Sequence, residues 1–441
     1  MQANVMRPVV WILALSLLSG CATFSEQFSA VERQLLQGKP EQALSTLEKA
    51  PGADRDRVLY LLNRSMLLRM TDQFEASNES LEQAKEIMKK LAATSVSETT
   101  GSLTINDATR SYVGEPFEQV MVHLIKALNY LEMGQRDSAR VEVLQMDVRL
   151  RELYQKERSA YMEDPFGRYL AGMIYEELGE YSDAMVSYRK SFEAYERQLK
   201  DFGVAAPQGL KLALVRMSQR MGLNNEHKDY KQGFNIQQFQ SVAQRRREGR
   251  LVFILGNGLA PKKLERTLSL RDYRYNQLHR VALPYYSKRS QRQLLGGLRL
   301  EAAGEAVEAD LAEDINAIAR QTLEEQMPGI KTRALARAVA KSAMVSSSRR
   351  NNDDNPWVGL IVNIATVATE RADTRSWVTL PSEFYIADLG LDPGRYDINV
   401  QFIGRHGGAV DAMVLKDVEI TAGRNNYHFY HWVSPASRKR N

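Results

Sequence analysis

Residues 166–195 read FGRYLAGMIYEELGEYSDAMVSYRKSFEAY, and the order of side-chain sizes in this stretch decides the fold. Ala171, Gly172, Tyr175, Gly179, Tyr181, Ala184, Tyr188 and Ser191 run small, small, aromatic, turn glycine, aromatic, small, aromatic, small. Two antiparallel helices approach closely only where small residues face each other, the aromatics fill the space beside that contact, and a glycine ends the first helix by taking up a left-handed conformation. The spacing therefore predicts a helical hairpin. The same frame fits HLIKALNYLEMGQRDSARVEVLQM, with Ala127, Tyr130, Gly134, Ala139, Val143 and Met146 in the matching places. Two weaker copies lie upstream: Gly38, Ala43, Leu47 and Ala50, then Phe74, Ser77, Leu81 and Ala84.

This order resembles the tetratricopeptide repeat, whose period of about 34 residues separates Ala43 from Ser77. About four units are expected in an α-solenoid over 21–225, with a serine-, threonine- and glycine-rich insertion at 92–115. Such arrays present a concave surface lined by the first helix of each unit and bind peptides or proteins. In the strongest unit the lining positions are Phe166, Tyr169, Met173, Glu176 and Glu177. They either face a partner or pack on the chain's own C-terminal part.

Upstream, Arg7 precedes an apolar run from Val9 to Leu18 that ends in Leu18-Ser19-Gly20-Cys21. The run is too short to span a bilayer of roughly 30 Å and reads as a secretion signal over 1–20. Its ending resembles the bacterial lipobox, which implies a diacylglycerol on Cys21 and an anchor of several acyl chains. Ala22, rather than aspartate, implies sorting to the outer membrane with the folded body facing the periplasm. Cys21 is the only cysteine of 441 residues. Once it is acylated, no thiol is left for a disulfide or a thiolate metal site.

The composition, 44% hydrophobic and 26% charged with a net charge of +5, is that of a globular chain with an ample core. The basic excess is local. Arg245, Arg246, Arg247, Arg250, Lys262, Lys263, Arg266, Arg271, Arg274, Arg280, Lys288, Arg289, Arg292 and Arg299 fall in a β-containing region at 226–308. They suit an anionic surface or an acidic partner, or else form a solvated face. No helix-turn-helix or stacking-aromatic signature accompanies them, so nucleic acid is not an expected ligand.

Strands are predicted at Leu251–Leu255 and Val281–Tyr285. A helical segment follows at 309–371, with the apolar face Leu311, Ile315, Ile318 and Leu323, a break at Pro328-Gly329, and a basic amphipathic helix from Ile330 to about Ser346. The apolar run Trp357 to Ala368 is too short to span a membrane. Five strands are expected at 372–433, at 377–380, 383–388, 396–402, 412–418 and 426–432, as hairpins of a β-sandwich-like module. A basic tail occupies 434–441. The fold class is thus α+β and multidomain.

Enzyme signals are poor. No serine nucleophile elbow or phosphate loop is present, and none of the six histidines has a metal-ligand spacing on a helix. No catalytic residue, metal or cofactor is expected. Glu324-Glu325 and Asp353-Asp354 read as surface charge, and Arg371 to Trp377 is a dense polar cluster. There Asp373 either pairs with an arginine while Trp377 enters the core, or joins the arginines in binding an anion or a partner.

YVGEPFEQVMVHLIKALNYL, DPFGRYLAGMIYEELGEY, GNGLAPKK, VALPYY and RADTRSWVTLP together resemble an uncharacterised family of bacterial tetratricopeptide outer-membrane lipoproteins. That family is often found beside a lipoprotein resembling the activator of penicillin-binding proteins. The resemblance implies an envelope role and supplies no activity. The expected function is a lipid-anchored protein-interaction scaffold in the cell envelope, with envelope proteins as partners and the activator-like lipoprotein as a candidate. The alternative is a module that binds peptidoglycan or polysaccharide. Partner contacts are expected at Phe166, Tyr169, Met173, Glu176 and Glu177, and at Arg245, Arg246, Arg247 and Arg250.

Overall fold

A computed structural model describes residues 28–95, 110–157, 163–272, 277–287, 295–351 and 371–434. The signal segment with Cys21, most of the 92–115 insertion, the 357–368 run and nearly all of the 434–441 tail lie outside the described residues.

Helices dominate the first half: α1 (Ser29–Leu36), α2 (Pro40–Lys49), α3 (Arg57–Arg69), α4 (Phe74–Ser95), α5 (Pro116–Glu132), α6 (Arg136–Glu157), α7 (Pro165–Leu178), α8 (Tyr181–Phe202), α9 (Gln208–Arg220) and α10 (Asn224–Gly233). They pair in sequence as five antiparallel hairpins. Each turn has a residue at positive φ, namely Gly38, Asp72, Gly134, Gly179 and Gly222. The first two lie 34 positions apart (72 − 38), but Gly134 and Gly179 lie 45 apart. Helices of 22 residues at α4, α6 and α8 stretch the period, which is why self-similarity fades along the chain. The fifth hairpin continues past Leu223, where the sequence pattern loses its helical frame, because no residue of α10 is fully buried and no apolar face marks it.

A single turn, α11 (Val242–Arg245), leads into the strands β1 (Gly249–Asn257), β2 (Lys263–Asp272), β3 (Gln277–Tyr286), β4 (Leu295–Ala302), β5 (Glu305–Glu308) and β6 (Asp310–Asp314). The long helix α12 (Ile315–Asn351) follows, then β7 (Glu383–Leu391), β8 (Gly394–Gly404), β9 (Ala409–Ile420) and β10 (Asn425–Trp432). They form one sheet in the order β10-β1-β7-β6, a second in the order β5-β4-β8-β9, and the separate hairpin β2-β3. In the first sheet β1 lies between β10, parallel to it, and β7, antiparallel to it.

Strand alternation sends successive side chains to opposite faces. On β1 and β7, Val252, Ile254, Phe384 and Ile386 join the helical core. Leu251, Phe253, Leu255, Tyr385, Ala387 and Leu389 meet Leu298, Leu300, Ile398, Val400 and Phe402 of the second sheet. The layers are therefore helices, first sheet, second sheet, with the first sheet buried on both faces.

Several sequence expectations change. The boundaries expected at 308/309 and 371/372 do not separate sheets, since strands from 249–257, 295–314 and 383–432 interleave in the same two. The C-terminal strands do not pair only with one another, because β7 and β10 both flank β1. Residues 377–380 form a turn rather than a strand. Residues 310–314 are a strand, and α12 starts at Ile315 and runs through Pro328 without a break. One proline removes only one helical hydrogen bond, the one its N–H would give to the Glu324 carbonyl, and the helix carries on with the Thr332 hydroxyl donating to the Pro328 carbonyl at 2.9 Å.

Candidate functional site

Tight helix approach builds the strongest hairpin. A Cβ added at Gly172 on α7 would stand 3.0 Å from Cγ of Tyr188 on α8 and closer still to two other ring carbons. Asp164 caps α7, accepting from the Gly167 amide at 2.6 Å, and Gly179 ends it at φ 81°.

The face of the hairpins expected to line a groove is covered by the chain itself. Phe166, Tyr169 and Met173 are buried, and the Phe166 ring meets Phe384 of β7 at 5.5 Å. Phe166 thus packs on the C-terminal part, and none of the three offers an open surface. Ahead of β7, residues 371–382 lie across the first helices of successive units. Asp56, just before α3, pairs with Arg375 at 3.1 Å. Glu118 on α5 accepts from the Trp377 amide at 2.7 Å, and Asn63 on α3 accepts from the Thr379 hydroxyl at 3.0 Å. Trp377 is fully buried. Asp373 pairs with Arg375 at 2.7 Å, so the polar cluster at 371–377 ties this segment to the array.

The Glu118 carboxylate also accepts from the Tyr112 hydroxyl at 2.5 Å. Burial first, and then the charge of Glu115, push its pKa up to about 7. Lys263, one of the basic residues, is buried against Glu115.

Glu176 belongs to a second buried network that joins array and sheet. Arg216 on α9 clasps it through two hydrogen bonds at 2.6 and 2.7 Å, and the Tyr188 hydroxyl donates at 2.7 Å. Burial alone would raise the Glu176 carboxyl; Arg216 and Arg245, with these hydrogen bonds, hold it down to about 2. Asp388 on β7 pairs with Arg250 and lies 3.5 Å from Arg245. Burial, then repulsion from Arg216, lowers the Arg245 pKa. Glu177 accepts from Arg136 and from the Asn425 amide at 3.3 Å.

The four arginines at 245–250 thus divide. Arg245 and Arg250 are mostly buried and ion-paired with Asp388, which departs from the reading of all four as a surface patch. Arg246 and Arg247 are exposed, and Arg246 donates to the Tyr181 hydroxyl at 2.6 Å. Glu176, Glu177, Arg245, Arg246 and Arg250 all line one cleft, together with Tyr181, Arg424 and Asn425. Residues expected on two separate surfaces therefore meet.

Sequence reasoning missed Arg216, Asp388 and Arg424. The signal for Asp388 was present: it is a lone charge inside the apolar strand EFYIADLGL, at the parity that faces the helices. Among the described residues no group of three or more His, Cys, Asp or Glu is placed to hold a metal ion, and no helix is long and apolar enough to cross a membrane.

No protein-family model and no curated protein matches the chain. Solved structures are similar over about half of it. A crystal structure of MamA shares 14% identity over 45% of this chain and 89% of its own, with a TM-score of 0.29. The apo form of RapI shares 14% over 52% of this chain and 56% of its own, with a TM-score of 0.36. MamA 41-end from Desulfovibrio magneticus RS-1 shares 14% over 47% and 89%, with a TM-score of 0.29. By its own architecture the chain is a mixed helix and strand protein with tetratricopeptide-like helical hairpins.

Proposed function

We propose that this chain is a protein-interaction scaffold of the bacterial envelope, anchored through an acylated Cys21 and facing the periplasm from the outer membrane. The observation that supports it is an unpaired apolar row on the outer face of the array. Val141, Leu144 and Val148 on α6 are 51%, 44% and 40% exposed. They recur at i, i+3 and i+7, the spacing with which one helix presents a seam to another. With the expected groove face covered by the chain itself, the outer face is where a partner protein docks. An envelope protein is the expected partner, and a lipoprotein resembling the penicillin-binding-protein activator is the candidate suggested by sequence resemblance.

A photocrosslinking amino acid at Leu144 and a control at the exposed Glu193 on α8 test the reading in intact cells. Discrete adducts from Leu144 and none from Glu193 support it; identical patterns from both refute it. Cys21→Ser tests the anchor separately. Loss of palmitate labelling and release from the outer-membrane fraction is expected, and a variant still labelled and still sedimenting with that fraction defeats the anchoring claim.

A further inference from the structure

We infer that the outer face of the β2-β3 hairpin rests on an anionic lipid surface, that of the membrane in which the protein is anchored; the inference depends on the acylation of Cys21 proposed above. The hairpin belongs to neither four-stranded sheet. α12 packs along β3, and Ala282 and Tyr286 on the inward side are buried.

The polarity of β2 is reversed. A strand laid over a core turns its leucines inward and its charges outward. Here the inward side carries Lys263, buried against Glu115, and Glu265, which accepts from the Ala372 amide at 2.8 Å. Side chains alternate along a strand, so Leu264, Arg266 and Leu268 share the opposite face, with Tyr285 across from Leu264 and Leu283 across from Arg266. Leu264 and Tyr285 are each 36% exposed, and Leu268 is 44% exposed. Val281, across from Leu268, is buried, so the exposed row ends there.

Three features fit this face to lipid. Arg266 is exposed, and its guanidinium stands 5.2 Å from the centre of the Tyr285 ring, with a leucine on either side along the strand. An arginine whose stem lies on apolar surface, beside a tyrosine with an apolar ring and a polar hydroxyl, is the chemistry of the membrane–water boundary. Beyond the buried Lys263, residues 264–286 carry four arginines and two acidic residues, an excess that an anionic leaflet attracts.

The third feature is position. At the base of the hairpin Lys262 pairs with Glu32 on α1. α1 begins at Ser29, eight residues after Cys21 (29 − 21), and eight extended residues span at most about 28 Å. The hairpin is thus tethered close to the acyl chains. Its contact with the bilayer becomes an intramolecular step, for which a few side chains suffice.

Fluorescence of the full mature chain in vesicles of phosphatidylethanolamine and phosphatidylglycerol tests the inference. With Cys21 acylated no other cysteine is present, so Leu268→Cys offers one thiol for a polarity-sensitive label. Leu144→Cys, equally exposed on α6, is the matched control. The label at 268 is expected to brighten about twofold or more as it leaves water, and to be quenched by nitroxide-bearing lipid, while the label at 144 keeps its aqueous emission. Arg266→Glu changes an exposed side chain and should keep the wild-type melting temperature while lowering the quenching at 268 by about half or more. Flotation with the vesicles reads the anchor separately. Protein that does not float overturns the anchor and the hairpin contact together. Protein that floats with the label at 268 unquenched, or quenched no more than at 144, overturns the hairpin contact alone. Unchanged quenching in Arg266→Glu overturns it as well, and so does brightening at 268 that needs no vesicles and grows with protein concentration, which marks a second copy of the chain on this face.

Discussion

Replacing Gly172 by alanine sets two effects of opposite sign against each other. Inside a helix, alanine is favoured over glycine by about 1 kcal/mol, so on local grounds the change should stabilise α7. The new methyl would fall within the Tyr188 ring, 3.0 Å from its Cγ and nearer to two other carbons. Tyr188 has nowhere to go: it is 1% exposed, and its hydroxyl is held by Glu176 at 2.7 Å. Overpacking of this kind costs about 1 to 3 kcal/mol, and the closer approach to the ring carbons Cδ1 and Cε1 puts it at the upper end, so after the helix gain the net expectation is a loss of about 2 kcal/mol and a fall in Tm of about 2 to 4 °C. Gly233 at the end of α10 is the matched control. A Cβ there meets nothing within 4 Å, so Gly233→Ala should hold or raise stability, by up to about 1 kcal/mol. Thermal melting and urea titration of both variants read this out. A Gly172→Ala protein as stable as wild type, beside a well-behaved control, would mean that α7 and α8 are not in the close contact described.

Trp377→Ala empties a fully buried site and should cost about 3 to 5 kcal/mol, with faster proteolysis at 371–382; wild-type melting would show that this segment does not hold the array. Arg250→Ser leaves Asp388 buried without its main partner, a loss of about 3 to 5 kcal/mol, whereas Arg247→Ser on the surface should stay within about 0.5 kcal/mol; equal melting of the two would contradict the division of the basic cluster. Glu176 titrates lower folded, at about 2, than unfolded, at about 4.3. Its contribution of about 3 kcal/mol is therefore present above about pH 4 and lost as pH falls towards 2. Glu176→Gln should flatten the stability profile in that window, and an unchanged acid limb would show that Glu176 ionisation is not coupled to folding.

The hairpins were legible because Gly134 and Gly179 carry a backbone requirement that no other residue type meets as readily, and because small residues and aromatics alternate at a fixed spacing. The strand at 251–255 was legible from its apolar run. β2 was not: in KLERTLSLRD charged residues break the alternation and read as a basic surface. Pairing was beyond reach from sequence, since β1 and β10 lie about 175 positions apart (425 − 250) and nothing local names a partner. The cleft was half legible. Its glutamates and arginines were each singled out, but their meeting depends on the path of β1 beneath α7.

The parallel pairing of β1 with β10 also sets the order in which the molecule can be completed. Synthesis delivers the helical units first, and these can close on local contacts in rapid steps. The central sheet must wait, because the strand that flanks β1 on one side is nearly the last described element to emerge. Until residue 432 arrives, one edge of β1 is bare and Phe384 lacks the Phe429 ring that lies 6.0 Å from it, and non-local closure of this kind is slow and exposed to aggregation. A chain cut short before β10 would therefore keep its helices but present the open edge of β1 and the uncovered Phe384 ring to whatever is nearby, making C-terminal truncation more hazardous for this protein than its last position in the sequence would suggest.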